Sequence, residues 1–179
     1  MKKIALKGKR IYLRPLKKSD ARQIAEQAKD ISVSRFTRIP HPYTMKDAHK
    51  WLRKAEKGWK EGSHYNFGIF LKDNRYIGSI GIHEVTSINK KCEIGYYLGK
   101  RFRGKGYMTE AAMLILKFIF DKLKLHRIDV TIHPKNIRSQ KLVERVGGKY
   151  EGYIREGINL KGKFVDAKLY GILARDIKN

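Results

Sequence analysis

The feature that most constrains this chain is a glycine-rich basic turn over residues 99–108, between a strand-like apolar run and a long apolar helix pattern. Gly104 and Gly106 allow backbone conformations that other residues avoid, and they let the backbone approach a ligand closely. The free N–H groups of the first helical turn and the positive end of the helix dipole favour a phosphate or pyrophosphate there. Arg101, Arg103 and Lys105 add positive charge to the same turn. The sequence therefore predicts an anion-binding loop.

Two other phosphate-binding motifs begin in this turn but are not completed. Gly99 and the pair Gly104-Lys105 have the spacing of a nucleoside-triphosphatase loop, yet Gly106 follows where that motif needs a Ser or Thr hydroxyl for magnesium. Gly104-x-Gly106 starts a dinucleotide-binding fingerprint, yet Thr109 stands where its third glycine should permit close helix packing. Both motifs are therefore disfavoured. A basic turn that only caps a helix remains an alternative to ligand binding.

A third phosphate-binding motif, Arg101-x-x-Gly104-x-Gly106, is present without a mismatch, and four further segments accompany it. These are residues 10–15, 77–82, 92–98 and 125–130, the last followed by Asn136-x-x-Ser139. With these segments the chain resembles the RimJ/RimL branch of the GNAT N-acetyltransferase superfamily, in which the loop cradles the pyrophosphate of acetyl-CoA. Members of that branch acetylate protein N-termini, and their relatives act on polyamines or antibiotics.

The resemblance implies a single GNAT acetyltransferase domain over residues 1–179. Its fold would be α+β, with a mixed, mainly antiparallel sheet flanked by helices and splayed central strands that form an acetyl-CoA cleft. Backbone groups left unpaired by the splay would bind the pantetheine arm, and an N–H near Leu98 would stabilise the oxyanion. The resemblance places these residues at the coenzyme: Tyr96, Tyr97, Leu98, Arg101, Arg103, Gly104, Lys105, Gly106, Tyr107, Met108 and Asn136.

The apolar periodicity predicts an α+β arrangement as well. Strands are expected at residues 10–15, 64–71, 75–85, 91–98, 127–133, 149–156 and 163–173. Helices are expected after Ser19 as N-cap, from Thr44 with Asp47 as capping box to about Lys57, over 107–122, and after Asn136 as N-cap. Residues 31–43 have an irregular pattern, and the two N-terminal helices are expected to flank a substrate groove.

The amino-acid composition tells more about the binding partners of this protein than about its fold. The formal net charge of +24, from 41 basic and 17 acidic residues, favours anionic partners such as coenzyme A, acidic proteins, RNA or the ribosome. The aromatic residues among the basic ones at 149–155 are expected to be core residues of a strand. Cys92 is the only cysteine, so a structural role and a reducing compartment are expected. No apolar run approaches the ~18 residues of a membrane span, so a cytoplasmic protein without a membrane partner is predicted.

Acetyl transfer to an amine needs a base that takes a proton from the amine. Glu93 is the first candidate, because the resemblance places a catalytic glutamate on this strand, where it could act through a water molecule. Glu156 and Glu84 are the second and third candidates. The alternative for Glu93 is a glutamate of the sheet that pairs with one of the many cations.

The same reaction needs an acid for the leaving thiolate. Many enzymes of this superfamily have a tyrosine on the short helix, but Val143 occupies the corresponding position here. Ser139 matches the serine of RimL-type enzymes and is the candidate acid, while Asn136 would contact the coenzyme arm. Alternatively, Asn136 and Ser139 are only a helix cap and a residue of the first turn.

Three functions remain open at this stage, none with a metal, because the six histidines lack the paired spacing of a zinc site. The leading hypothesis is acetyl-CoA-dependent N-acetylation of a protein N-terminus by direct transfer in a ternary complex. A polyamine or other small-amine acceptor is disfavoured, because a strongly basic chain is a poor place to build a carboxylate-lined pocket. The alternative from another class is a non-catalytic RNA- or ribosome-binding module of the same fold.

Overall fold

The computed structural model describes residues 4–177 and contains one eight-stranded sheet. The strands are Leu6–Lys7 (β1), Ile11–Pro15 (β2), Tyr65–Leu71 (β3), Tyr76–Thr86 (β4), Lys91–Leu98 (β5), Arg127–Ile132 (β6), Lys149–Leu160 (β7) and Lys163–Leu173 (β8). Their order is β1-β2-β3-β4-β5-β6-β8-β7. Every neighbouring pair is antiparallel except β5 and β6, which are parallel. The α+β class with a mixed, mainly antiparallel sheet is thereby confirmed.

Helices cover both faces of this sheet. They are Ala21–Ala28 (α1), Ile31–Ser34 (α2), Met45–Glu61 (α3), Tyr107–Lys117 (α4) and Ile137–Arg145 (α5). Because side chains alternate along a strand, the neighbours Ile69 and Phe70 of β3 belong to different hydrophobic clusters. The cluster with Ile69 includes Ile115 of α4, and the cluster with Phe70 includes Ile24 of α1 and Leu52 of α3. The sheet is therefore the middle of three layers.

Some boundaries differ from those expected from the sequence. The structure adds β1 and α2, the latter within the segment 31–43 that was expected to be irregular, and it extends the second long helix to Glu61. The helix after the glycine-rich turn ends as α4 at Lys117 and continues as one π-helical turn, Phe118–Lys122. The capping box of Thr44 and Asp47 and the N-cap role of Asn136 are confirmed.

The expectation that the aromatic residues at 149–155 lie in the core is wrong. The exposed fractions of Tyr150 and Tyr153 are 53% and 52%. Their strand, β7, is the last in the sheet and is exposed along most of its length. Local alternation could not reveal this, because the covering layer of a strand depends on its position in the sheet.

The helix start predicted at Ser19 is also wrong, and Asp20 has the structural role there. Residues Lys18–Asp20 form a 3-10 turn, and α1 begins only at Ala21. The buried Asp20 carboxylate accepts the Lys17 N–H at 2.7 Å and two hydrogen bonds from the Arg14 guanidinium, each at 2.8 Å. These bonds tie the end of β2 to the start of the helical layer.

Replacing Asp20 by Ala should therefore lower the free energy of unfolding by about 3 kcal/mol, because it leaves a mostly buried guanidinium without its partner. Ser19→Ala, next to it on the exposed side of the turn, should change stability by no more than about 0.5 kcal/mol. Urea denaturation of the two variants measures both values. Equal losses would contradict the role of Asp20.

Candidate active site

A fork between β5 and β6 opens the centre of the sheet. The two strands pair only at Lys91 with Arg127, Cys92 with Ile128, and Glu93 with Asp129. Beyond Glu93, β5 remains paired with β4 as far as Leu98 but no longer pairs with β6. The splayed central strands expected from the sequence are thus present.

The backbone of β5 beyond Glu93 presents polar groups to this fork, where β6 no longer lies alongside it. The Gly99 N–H donates to the Ile77 carbonyl on the β4 side at 2.9 Å. The Leu98 carbonyl points the other way and accepts from Arg103 Nε at 2.9 Å. Because successive residues of a strand alternate in direction, the backbone groups of Ile94 and Tyr96 also face the opening. A ligand with amide groups can therefore bind there as an additional strand would.

The glycine-rich turn closes one end of the fork and leads into α4. Gly104 and Gly106 both have φ of +78°, in the left-handed region that favours glycine. A Cβ atom added at Gly104 would meet no atom within 4 Å, so the space beside it is open. Arg101 and Lys105 are exposed on the same turn. The turn thus combines a left-handed glycine backbone, free space and positive charge.

Two arginines stabilise this turn in ways that the sequence did not reveal. Arg10, the residue before β2, donates to the Lys105 carbonyl at 2.8 Å and pairs with Glu110 of α4 at 2.9 Å. Arg103 was predicted as a coenzyme ligand, but its guanidinium binds the Leu98 carbonyl and Ser32 Oγ, and burial lowers its pKa. These contacts join distant segments, so only the folded chain brings the partners together.

A cavity of about 630 Å³ extends from the fork to the protein surface. Most of the predicted site residues that are not in the turn line it: Glu84, Glu93, Tyr96, Tyr97, Asn136 and Ser139. Glu156, the second candidate for the base, is not among the lining residues; it lies on β7, where its N–H donates to Asp166 at 2.9 Å. Of the two N-terminal helices expected to flank a groove, α3 contributes to the lining and α1 does not.

Glu93 lies where the fork opens and has no ion-pair partner among the described residues. The neighbouring cations Lys91 and Arg127 instead pair with Asp129 on β6, at 2.9 and 2.6 Å. Burial raises the pKa of Glu93, as does the charge of Glu84, while Arg38 opposes the shift. The structure therefore does not contain the ion pair that was the alternative interpretation of Glu93. It provides a half-buried carboxylate that is free to accept a proton.

A hydrogen bond between side chains crosses the fork. Tyr96 Oη of β5 lies 2.7 Å from Ser139 Oγ of α5. Burial raises the pKa of Tyr96 to about 12, so the phenol stays protonated at neutral pH. Val143, which replaces the tyrosine common in the superfamily, is buried in the core. Two hydroxyls, those of Tyr96 and Ser139, thus meet across the fork, and both are candidates for the acid.

Asn136 lies at the N-terminus of α5, three residues before Ser139. Its Oδ1 accepts the Ser139 N–H at 3.3 Å, which makes it the N-cap of the helix. Tyr97 points to the opposite face of the sheet from Tyr96, and its hydroxyl lies 2.7 Å from that of Tyr76. The two adjacent tyrosines therefore have different partners, and only Tyr96 contacts Ser139.

The chain matches a model of a known protein family. Residues 10–149 match the family model described as an acetyltransferase (GNAT) domain. The chain belongs to the GNAT acetyltransferase family. The predicted superfamily is thus confirmed, and with it the class of enzyme, an N-acetyltransferase that uses acetyl-CoA.

Individual GNAT proteins agree with the family match. The Bacillus subtilis protein named "Probable N-acetyltransferase YjcK" is 33% identical over 96% of this chain and 98% of its own. The Escherichia coli protein named "[Ribosomal protein uS5]-alanine N-acetyltransferase" is 31% identical over 65% of this chain and 61% of its own. The structure of Mycobacterium smegmatis RimJ in complex with CoA-disulfide has a TM-score of 0.90 and 22% identity, covering 99% of this chain and 91% of that one.

Binding of coenzyme A to this GNAT fold should raise its melting temperature, because a ligand that binds only the folded state stabilises it by about 2.7 kcal/mol at 100 times its Kd. Gly104→Val should remove that rise by filling the open space in the turn. Gly162→Val is the matched control: Gly162 also has positive φ, +86°, and open space around it, but lies in the β7–β8 turn. Thermal scans with and without coenzyme A measure both variants. A rise that persists in Gly104→Val would contradict the phosphate-binding role of the turn.

Two other side chains of this GNAT protein that could react, Cys92 and His83, have pKa values that are shifted by burial. Cys92 is buried in the core, and burial raises its pKa to about 12. His83 lines the cavity, where burial lowers its pKa to about 4, so its ring is neutral at pH 7. Among residues 4–177, no three potential metal-ligating side chains cluster, and no helix is long and apolar enough to cross a membrane.

Proposed function

We propose that this GNAT protein transfers the acetyl group of acetyl-CoA to the N-terminal amine of a protein, by direct attack in a ternary complex. The observation that carries the proposal is the continuous cavity that joins the fork to the surface, with the unpaired carboxylate of Glu93 at the junction. The acceptor class is supported by the Escherichia coli relative, whose name specifies N-acetylation of an alanine of a ribosomal protein. A cytoplasmic location belongs to the same proposal.

In this proposal the turn and β5 hold the coenzyme. The N–H groups around Gly104 and Gly106, with Arg101 and Lys105, bind the pyrophosphate, and Tyr107 and Met108 begin the helix whose positive end faces it. The backbone groups of β5 that face the fork bind the pantetheine arm. Acetyl-CoA supplies the thioester, and an N–H near Leu98 stabilises the negative charge on its carbonyl oxygen.

Side chains on either side of the fork move the protons. Glu93 accepts a proton from the acceptor ammonium, directly or through water, and its raised pKa suits this role. The Tyr96 and Ser139 hydroxyls donate a proton to the leaving thiolate. Cys92 takes no part as a nucleophile, because its side chain is enclosed in the core and only 1% exposed.

A small polyamine is the second candidate acceptor, and one observation favours it. Three carboxylates line the cavity, Asp47, Glu84 and Glu93. The cavity is thus less basic than the net charge of the chain would suggest. Three cations of the same cavity oppose a polycation, however: Arg38, Lys50 and Lys54.

Turnover assays with acetyl-CoA distinguish these candidates. Peptides with free N-termini and spermidine are incubated separately with the enzyme, and acetylated products are identified by mass. Acetylated peptides support the proposal, and acetylated spermidine with unmodified peptides replaces it by the polyamine alternative. Coenzyme A binding without turnover on either acceptor favours the non-catalytic RNA- or ribosome-binding module.

A further inference from the structure

Cations without partners stand at the surface end of the active-site cavity. Arg38, in the segment between α2 and α3, and Lys50 and Lys54, on α3, all line it. Within residues 4–177, none of the three forms an ion pair. Lys50 and Lys54 are four residues apart, about 6 Å along the helix axis, and so lie on one face, where like charges at this spacing repel.

The C-terminal half of the same helix contains lysines that do have ion-pair partners. Lys57 pairs with Glu61 at 3.6 Å, and Lys60 pairs with Glu56 at 3.0 Å. Both pairs have the four-residue spacing that favours such contacts on a helix. The helix therefore places a carboxylate within reach of Lys57 and of Lys60, whereas neither Lys50 nor Lys54 pairs with one among residues 4–177.

The acidic residue nearest in sequence to Lys50 is already engaged. Asp47 Oδ2 accepts the Thr44 N–H at 2.9 Å and the Thr44 hydroxyl at 2.6 Å, as part of the capping box that starts α3. The other cavity carboxylates, Glu84 and Glu93, lie on β4 and β5, toward the fork. The cavity thus has carboxylates at the fork and free cations at its mouth.

We infer that this cavity selects acceptors that carry a carboxylate close to the reactive amine, with Lys50, Lys54 and Arg38 binding the carboxylate while the amine faces Glu93. The inference rests on the proposed function, since it assumes that the amine enters from the surface. Within that function the carboxylate belongs to an acidic side chain in the first few residues of the acceptor protein. The same chemistry could come from the α-carboxylate of a free amino acid, and the experiment separates the two sources.

The test compares acceptors that differ only in charge. The peptide Ser-Glu-Glu-Gly-Gly-Tyr is measured against Ser-Gln-Gln-Gly-Gly-Tyr, and free glutamate is measured beside them. We expect the acidic peptide to have the higher kcat/KM by about an order of magnitude, since each exposed charge pair contributes about two- to fivefold. Lys50→Gln and Lys54→Gln should each reduce that preference by about two- to fivefold.

Two variants of the same helix serve as controls. Lys57→Gln and Lys60→Gln remove the same charge from residues of α3 that do not line the cavity, and they should leave the preference unchanged. Quenching of Trp51, which lines the cavity, reports peptide binding without turnover. The binding measurement therefore tests the inference even if no acceptor is acetylated.

Each outcome bears on one of the two proposals. Equal kcat/KM and equal binding for the two peptides would overturn the inference and leave N-terminal acetylation intact. A preference that all four lysine variants reduce alike would also overturn it, because the effect would then be one of net charge. Acetylation of free glutamate but of neither peptide, with the same dependence on Lys50 and Lys54, would support carboxylate binding and overturn the protein acceptor.

Discussion

Replacing Glu93 by Gln is expected to lower kcat/KM by about 10²- to 10⁴-fold, the usual contribution of a general base. The amide has nearly the shape of the carboxylate but cannot take the proton. Because burial disfavours the ionised form of Glu93, the variant should melt at the same temperature as the parent or higher. Loss of activity would then not be loss of the fold.

The pH profile gives this prediction a second test. The base acts as a carboxylate, so activity of the parent should fall as pH falls through the raised pKa of Glu93. The acceptor amine contributes its own acid limb at higher pH, near its ordinary pKa of about 7.7 to 8.0. The parent profile should therefore steepen at low pH, whereas Glu93→Gln should keep the single slope of the amine.

Two matched glutamates serve as controls for Glu93. Glu84→Gln removes a second carboxylate from the same cavity, and Glu156→Gln removes one that does not line it. Both variants should retain activity within a few-fold. A larger loss in either one than in Glu93→Gln would assign the base to that residue instead.

Removing either member of the hydroxyl pair, by Tyr96→Phe or Ser139→Ala, is expected to slow kcat by about 10²-fold or more, because the thiolate then leaves without its acid. Binding of coenzyme A should change little, since its proposed contacts with β5 are main-chain. Groups that act as a unit are not additive, so the double variant should be no slower than the slower single variant. Steady-state kinetics and coenzyme A titration measure these effects.

Tyr97→Phe is the control for this pair. It removes a hydroxyl from the adjacent residue, one that contacts Tyr76 and not Ser139. Its kcat should stay within a few-fold of the parent. Full activity in Tyr96→Phe and Ser139→Ala would show that their hydrogen bond is structural.

The elements that position the site could be predicted because their signals are local. The span of β5 was predicted as residues 91–98, and the capping box at Thr44 and the cap at Asn136 are short motifs whose partners lie within three residues. The glycines of the turn could be interpreted in the same way, because positive φ is a property of each residue's own backbone. The splay itself was expected from family resemblance, because no local pattern reveals where two strands part.

Long-range partners could not be read from the sequence. Arg103 lies in the basic turn, yet its guanidinium is occupied by the Leu98 carbonyl and Ser32. From the sequence, Glu93 could pair with any nearby cation. Only the fold shows that the two neighbouring cations, Lys91 and Arg127, form their ion pairs with Asp129. Net charge has a similar limit, because an average over the chain does not give the composition of one cavity, which here has three carboxylates and three Lys or Arg cations.

The most direct test of N-terminal acetylation uses one peptide in two forms. The first form has a free N-terminus and one internal lysine, and the second is identical but already acetylated at its N-terminus. After incubation with acetyl-CoA, intact mass and fragmentation locate any added acetyl group. We expect one acetyl group on the α-amine of the first peptide and none on the second. Acetylation of the lysine in both forms, or of neither peptide while spermidine is acetylated, would contradict the proposed function.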